Sequence, residues 1–232
     1  MIAVTFALPA ESSAFVRLLR HRKRQNEGAL LIISGNIDHQ PIQVLHTGVG
    51  EKVSRERLTR FLQDRPFNLL ISAGFAGSLT NELRPGVLLL AKNFSTAPLD
   101  NLGPVIAKWT IHSADLYTAS TMICSAEDRK KMASETGTVA VDMETKFIAR
   151  GCAEHELLLL SLRVITDTPA HPFPAPPVIL FDLARQKTDF AKFAGFFTLH
   201  PDRLPRLVQF ASTVHRARNR LARALADFIR AC

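Results

Sequence analysis

The chain has little cysteine, almost no tyrosine or tryptophan, and no long apolar run. Its three cysteines, Cys124, Cys152 and Cys232, lie far apart in the 232 residues. That spacing excludes a disulfide framework and a CxxC metal clip, so reduced structural thiols are expected. The longest apolar runs, Leu157 to Leu162 and Val87 to Ala91, fall far short of the ~20 residues a membrane span requires. Met1 to Phe6 lacks the charged leader of a signal peptide and reads as a first strand, so a cytoplasmic location is expected. The eight histidines show no ligand spacing, and no metal is expected. "TGVGEKVS" lacks G-x-G-x-x-G spacing, which argues against a dinucleotide-binding enzyme, and no cofactor is expected.

What is present is the composition of a folded globular chain: 47% hydrophobic and 22% charged residues, with glycine and proline not in excess. This length can bury one sizeable core, and no linker divides it, so residues 1–232 are expected to form one domain. The formal charge of +8 is uneven. From Pro201 to Cys232 seven arginines face Asp202 and Asp227, and 7 − 2 puts +5 of the charge in this tail. With one Trp, one Tyr and no recognisable module, nucleic-acid binding rests on charge alone, and no nucleic-acid partner is expected.

Along the chain, "MIAVTF" reads as a strand and "ESSAFVRLL" as a helix with Glu11 in its first turn. "ALLIIS" and "PIQVLHTG" read as strands joined by a turn at Gly35-Asn36. "EKVSRERLTRFLQ" is helical, "NLLISAG" and "GVLLLAKNF" are strands, and Pro98 to Pro104 is a loop. "SAEDRKKMASETG" predicts a short helix capped by Ser125 and stopped by Gly137. "TVAV", "DMETKFIARGCAEH" and "LLLLSLRVIT" predict strand, helix and strand, and "TPAHPFPAPP" a stiff loop. Leu207, Phe210, Val214, Ala217, Leu221, Ala224 and Phe228 recur at helical spacing. They predict that 201–232 is a basic amphipathic helix packed on the domain, with a peripheral membrane contact through its arginines as the sharper alternative. Strands alternating with helices give an α/β fold: a three-layer αβα sandwich around a central mixed, largely parallel sheet.

In such sheets ligands sit outside the carboxyl ends of the strands. Glu11 follows the first strand, Asp142 and Glu144 follow "TVAV", and Asp167 ends "LRVIT". Parallel neighbours would bring these carboxylates into one cleft. Any one of them alone would be read as a helix cap.

These residues also carry a resemblance. "TVAVDMETKFIA" resembles the Glu-Met-Glu or Asp-Met-Glu signature of the purine nucleoside phosphorylase and nucleosidase superfamily, and "LRVITD" its "RAISD" strand. "VLHTGVGEKVS" is similar to its Gly-Val-Gly segment, and "NLLISAGFAGSLTNELRPGVLLLAKNF" to its "NTGSAGGL…VGDIVV" stretch. The match runs from Met1 to about Asp167. It implies a nucleoside phosphorylase-like fold and cleavage of an N-ribosidic bond, a reaction through an oxocarbenium-like sugar whose leaving base must be neutralised. It further implies that Glu144 receives the ribose hydroxyls, Met143 packs on the sugar, Asp167 protonates a purine ring nitrogen and Glu11 activates water. Gly74, Phe75 and Ser125 are carried with them as substrate-binding positions.

Pro9 and Ala10 stand where a phosphorylase has its first glycine loop, and Ser72 and Phe75 where it has other phosphate donors. Water is therefore expected rather than phosphate, unless Arg17 or a second subunit supplies the missing cation. "YTASTMICSAEDRKKMASETGTVAVDMET" is similar to the hopanoid-associated phosphorylase branch. That likeness implies a 5′-substituted adenosine, adenosylhopane among the candidates, and a homo-oligomer. Eight of 15 phenylalanines fall between Phe173 and Phe228, to line an apolar channel or to build ordinary core. A phosphorylase, and a non-catalytic binding protein on the same fold, remain the alternatives.

Overall fold

Ile2–Phe6 (β1) and Leu69–Ser78 (β5), two buried apolar runs, lie side by side as parallel strands at the centre of the sheet. The computed structural model describes residues 1–28, 30–176, 179, 181–182, 186 and 188–232. Between these strands come α1 (Pro9–Leu18), β2 (Arg20–Glu27), β3 (Leu30–Ile37), β4 (Gln40–His46) and α2 (Glu51–Leu62). Beyond β5 come β6 (Leu88–Ala91), α3 (Gly103–Trp109), β7 (His112–Ala114), β8 (Leu116–Thr118) and α4 (Ala126–Thr136). The chain continues with β9 (Ala140–Asp142), α5 (Thr145–Glu154), β10 (Leu158–Asp167), α6 (Phe190–Leu199) and α7 (Leu204–Ala231).

The strand order is β2-β3-β4-β1-β5-β10-β6-β7, with β9 joining β5 to β8. The central pairs β4/β1, β1/β5 and β5/β10 are parallel, while the β2-β3-β4 meander and the β6/β10 pair are antiparallel. The sheet is thus mixed, with its parallel part in the middle.

Strand alternation sorts side chains between two helical layers. Val4, Ile71, Leu160, Leu162 and Val164 pack under α1, α3 and α7, together with Phe15, Val105, Leu221 and Phe228. Ala3, Leu70 and Leu159 face α2 and α5 through Leu58, Phe61, Ile148 and Cys152. On β10 Arg163 reaches Thr145 of α5, whereas Asp167 follows a register shift after Ile165, across which the alternation does not carry, and reaches Arg129 of α4.

Helix α4 starts and stops at the expected residues: the Ser125 hydroxyl accepts from Asp128 N at 2.9 Å, and Gly137 adopts φ 68° at its C-cap. The stripe on α7 likewise turns inward from Ala217 onward, where Leu221, Ala224 and Phe228 are buried.

Four local expectations are corrected. Gly35 and Asn36 lie within β3, and the chain turns at Asp38-His39. A Cβ on Gly35 would meet Arg20 O and Leu19 Cβ at 2.9 Å, so the glycine serves close approach rather than a turn. Residues between Pro98 and Pro104 are not all loop, because Gly103 and Pro104 open α3; proline fits the first helical turn, where its missing N–H has no partner to lose. The helix expected from Asp142 begins at Thr145, since Asp142 ends β9 and its carboxylate accepts from Thr145 N. Finally, the sequence pattern gives no sign of β2: all eight residues of "RHRKRQNE" are exposed, so nothing alternates. Its charges suit an edge strand that must not pair with another chain. The end of "TPAHPFPAPP", at Pro177, lies outside the described residues.

Candidate active site

Glu11 sits in the first turn of α1, just past the carboxyl end of β1, and is buried. Its Oε2 accepts from Leu8 N and its Oε1 from Phe75 N, both at 3.0 Å. Gly74 lies against the same carboxylate, where a Cβ would approach Oε1 to 3.2 Å. Burial pushes the Glu11 carboxyl above its usual value, against the pull of the two N–H groups and of Arg163.

Glu144 occupies the bend between β9 and α5, beside Met143, and accepts from Gly50 N at 3.2 Å. Its carboxyl is pushed well above the usual range, first by burial and then by the neighbouring charges of Asp142 and Glu11. Glu11, Glu144, Gly74 and Phe75 line one small pocket of about 10 Å³, with Ser72 and Arg163 at its wall. Over the adjoining Gly48–Gly50 loop, Gln186 pairs with Val49 through both ends of its amide: Val49 N donates to Oε1 at 2.7 Å, and Nε2 donates to Val49 O at 2.9 Å.

Two predicted carboxylates lie outside this cavity. Asp142 is consumed in a buried network: it accepts from Thr118 Oγ1 at 2.9 Å, from Arg163 Nε at 2.9 Å and from the Thr145 hydroxyl. Arg163 is bound on every side, donating to Ser72 O and Oγ at 2.8 Å and to Thr145 Oγ1 at 2.6 Å. This network locks the bend that carries Met143 and Glu144. The single cleft expected for all the carboxylates is therefore corrected to a pair, Glu11 with Glu144, held by a structural aspartate.

Asp167 stands four residues beyond Arg163 on β10, roughly 13 Å along the strand. It is 2% exposed and forms an ion pair with Arg129 of α4, itself 1% exposed. Thr166 Oγ1 donates to its Oδ1 at 2.9 Å, and Arg129 Nη1 donates to Ser78 O at 2.7 Å. Burial raises the Asp167 carboxyl above its usual value, while the Arg129 charge and hydrogen bond pull it down. A proton-donating role needs that raised affinity, and the guanidinium opposes it.

Ser125, predicted to touch substrate, is exposed as the cap of α4, one turn before Arg129, and does not line the Glu11–Glu144 cavity. Arg17 is exposed on the last turn of α1 and does not line it either. Arg163 and Arg129 are the functional candidates the sequence reading missed. Among the described residues, no group of three or more His, Cys, Asp or Glu is placed to hold a metal ion, and no helix is long and apolar enough to cross a membrane.

The phenylalanines of the last third divide. Phe228 is fully buried, Phe190 is 79% exposed, and Phe173 meets Phe210 edge-on at 5.6 Å. The latter two line a cavity of about 420 Å³ between α7 and the loop after β10, with Thr166, Pro169 and Arg206.

A mixed sheet between two helical layers, with acids placed at the carboxyl ends of its strands, defines an α/β nucleoside phosphorylase-like fold. No protein-family model matches the sequence, and no curated protein matches it. Solved structures do share the fold. The 5′-methylthioadenosine/S-adenosylhomocysteine nucleosidase of Neisseria meningitidis, in complex with methylthio-immucillin-A, matches with a TM-score of 0.74 and 13% identity, over 100% of this chain and 99% of that one. That of S. pneumoniae with the transition-state inhibitor MT-ImmA gives 0.72 and 17%, over 99% and 98%. The futalosine hydrolase of Helicobacter pylori gives 0.69 and 15%, over 97% and 94%.

Proposed function

We propose that this chain is a purine nucleosidase, which cleaves the N-ribosidic bond of a 5′-substituted adenosine with water as the nucleophile. The observation that carries this reading is the pairing of Glu11 with Glu144 in the wall of one small pocket, both carboxyls raised by burial. A carboxylate with elevated proton affinity is suited to take a proton from water. In the proposed reaction the water oxygen bonds to C1′ and its proton passes to Glu11. The electron pair of the breaking C1′–N bond leaves with the purine, and Asp167 gives its proton to a ring nitrogen. Glu144 holds the ribose hydroxyls and Met143 packs against the sugar; Gly74 and Phe75 close the wall beside Glu11.

Phosphorolysis is disfavoured by a specific contact. A helix N-terminus is a ready anion site, but at α1 the Glu11 carboxylate already occupies it through Leu8 N, and Pro9 contributes no N–H. The cavity at Phe173 and Phe210, which mixes these rings and prolines with Arg206, Gln209 and Thr213, has room for a large 5′ group, adenosylhopane being the candidate that the sequence resemblance suggests. A homo-oligomer, and a location in the cytoplasm with a membrane contact through α7, belong to the same reading. Against the membrane contact, Arg218 and Arg220 are spent on Ala10 O and Trp109 O, and Arg230 on Asp38 and Asp227.

The test is free-base release from adenosine, methylthioadenosine and a lipid-substituted adenosine, followed by chromatography with phosphate present. Adenine without sugar phosphate is the expected result. Asp167→Asn and Glu11→Gln should each lower the rate about 10²–10⁴-fold with the fold retained. Unchanged release in either variant would remove that residue from the mechanism, and formation of sugar phosphate would replace the nucleosidase by a phosphorylase.

A further inference from the structure

The acid at the end of β10 does not stand alone, and its neighbour is an expensive one. Arg129 is the largest fully buried side chain among the described residues. Two of its nitrogens are bound, to Ser78 O and to Asp167 Oδ2, while its Nε–H has no acceptor among them. Breaking even with such a pair is difficult, because the desolvation of two charges usually cancels their attraction, and apolar residues of similar volume would serve stability as well or better. An orphaned buried donor adds to that cost. The backbone is also shaped around the contact. A Cβ on Gly77 would sit 2.8 Å from Asp167 Oδ2 and 3.2 Å from Arg129 Nη1, so the pair closes only over a glycine.

We propose that Arg129 is a positioning residue for the leaving-group acid: its guanidinium holds the Asp167 carboxylate over Gly77 and sets the pH above which Asp167 no longer carries a proton for the departing base. The proposal rests on the nucleosidase reading. The groups around Asp167 are few. Arg129 comes from α4, the Cys124 thiol from the segment ahead of it, and the Thr166 hydroxyl from β10; β5 offers backbone at Gly77 and Ser78. Burial holds Cys124 above its usual value and hence neutral. Further down β10, Arg163 and Asp142 are committed to each other. Arg129 is thus the cation that opposes burial at this acid, and without it Asp167 keeps its proton to higher pH.

The experiment compares pH profiles of kcat/KM for the wild type, Arg129→Gln, Arg129→Lys and Gly77→Ala, beside a carbon-13 carboxyl titration of Asp167. In Arg129→Gln the alkaline limb should move up by about one pH unit or more, so that activity relative to its own maximum is about tenfold above wild type on that limb. Gly77→Ala separates the partners without removing either and should move the limb the same way; Arg129→Lys, which keeps the charge, should move it less. A uniform fall in kcat with an unmoved limb in Arg129→Gln and Gly77→Ala would reduce Arg129 to a packing residue. If the wild type releases no base from any nucleoside, the nucleosidase reading falls, and the carboxyl titration still decides the coupling. A higher Asp167 titration in Gly77→Ala or Arg129→Gln sustains it, and an unchanged one overturns it.

Discussion

The two buried arginine–aspartate pairs, Arg163–Asp142 and Arg129–Asp167, are alike in burial and opposite in completeness. In each pair both side chains are 3% exposed or less. Arg163 has all three nitrogens bound and Asp142 accepts through both oxygens, tying β5, β8, β9, β10 and α5 into one knot. Arg129 leaves Nε unpaired, and burial raises the proton affinity of its aspartate. A saturated pair is a scaffold, because every lone pair and proton is accounted for. An incomplete one at the acid proposed to protonate the leaving base is, on that reading, a place where the chain has accepted instability in order to hold a charge in position.

Arg163→Met should be the most damaging change to either pair. It leaves Asp142 buried without its cation, and the loss should be about 3–5 kcal/mol in urea unfolding. Arg129→Gln should cost less, since Asp167 is already raised and can take up a proton when its partner is gone. Equal losses in the two variants would mean that both pairs are scaffold.

How much of this contrast is legible in sequence differs between the two arginines. Arg163 interrupts the apolar run "LLLLSLRVIT", and a charge inside a central strand has to be paired; the signal is there, although the partner is not nameable from it. Arg129 is one of three successive cations with Lys130 and Lys131 in "SAEDRKKM", and nothing local distinguishes the buried one from its solvated neighbours. Helix α4, β10 and the α7 stripe follow from caps and periodicity, which are local. β2 does not, because an edge strand exposed on both faces has no pattern to read. The acids were identifiable from their place after strands, but which of them share a cavity depends on strand order and on which face of β10 each residue takes.

A finer test separates the Glu11–Glu144 pair from the scaffold beneath it. Glu11, Glu144 and Asp167 all have folded-state proton affinities above their unfolded ones. Their stabilisation is complete below the unfolded values, 4.5 for glutamate and 3.8 for aspartate, and is lost as pH rises through the raised folded values. His46 acts in the opposite sense. Burial lowers it to about 4 from 6.5, so the native state loses stability as pH falls through that interval. Its contribution is common to wild type and Glu144→Gln and cancels in the difference. The variant should lose base release yet become more stable than wild type at pH 8 by about 0.5–2 kcal/mol, with the gap closing toward pH 4. A gap independent of pH would show that the Glu144 charge is not what the fold opposes.

The smallest effect is the most discriminating for the boundary of the site. Ser125 and Arg129 are one turn apart on the same segment, with Arg129 N donating to Ser125 O at 3.1 Å, yet one is exposed and the other buried. The Ser125 hydroxyl accepts from Asp128 N and donates to the Asp128 carboxylate at 2.6 Å, which accounts for it as a helix cap. Ser125→Ala should therefore cost about 1 kcal/mol of stability, leave KM for the nucleoside unchanged, and leave the alkaline limb where Arg129 sets it. A rise in KM without a loss of stability would place Ser125 in the substrate site. A moved limb would instead mean that the start of α4 controls where Arg129 stands, and the positioning role would extend from one side chain to the helix that carries it.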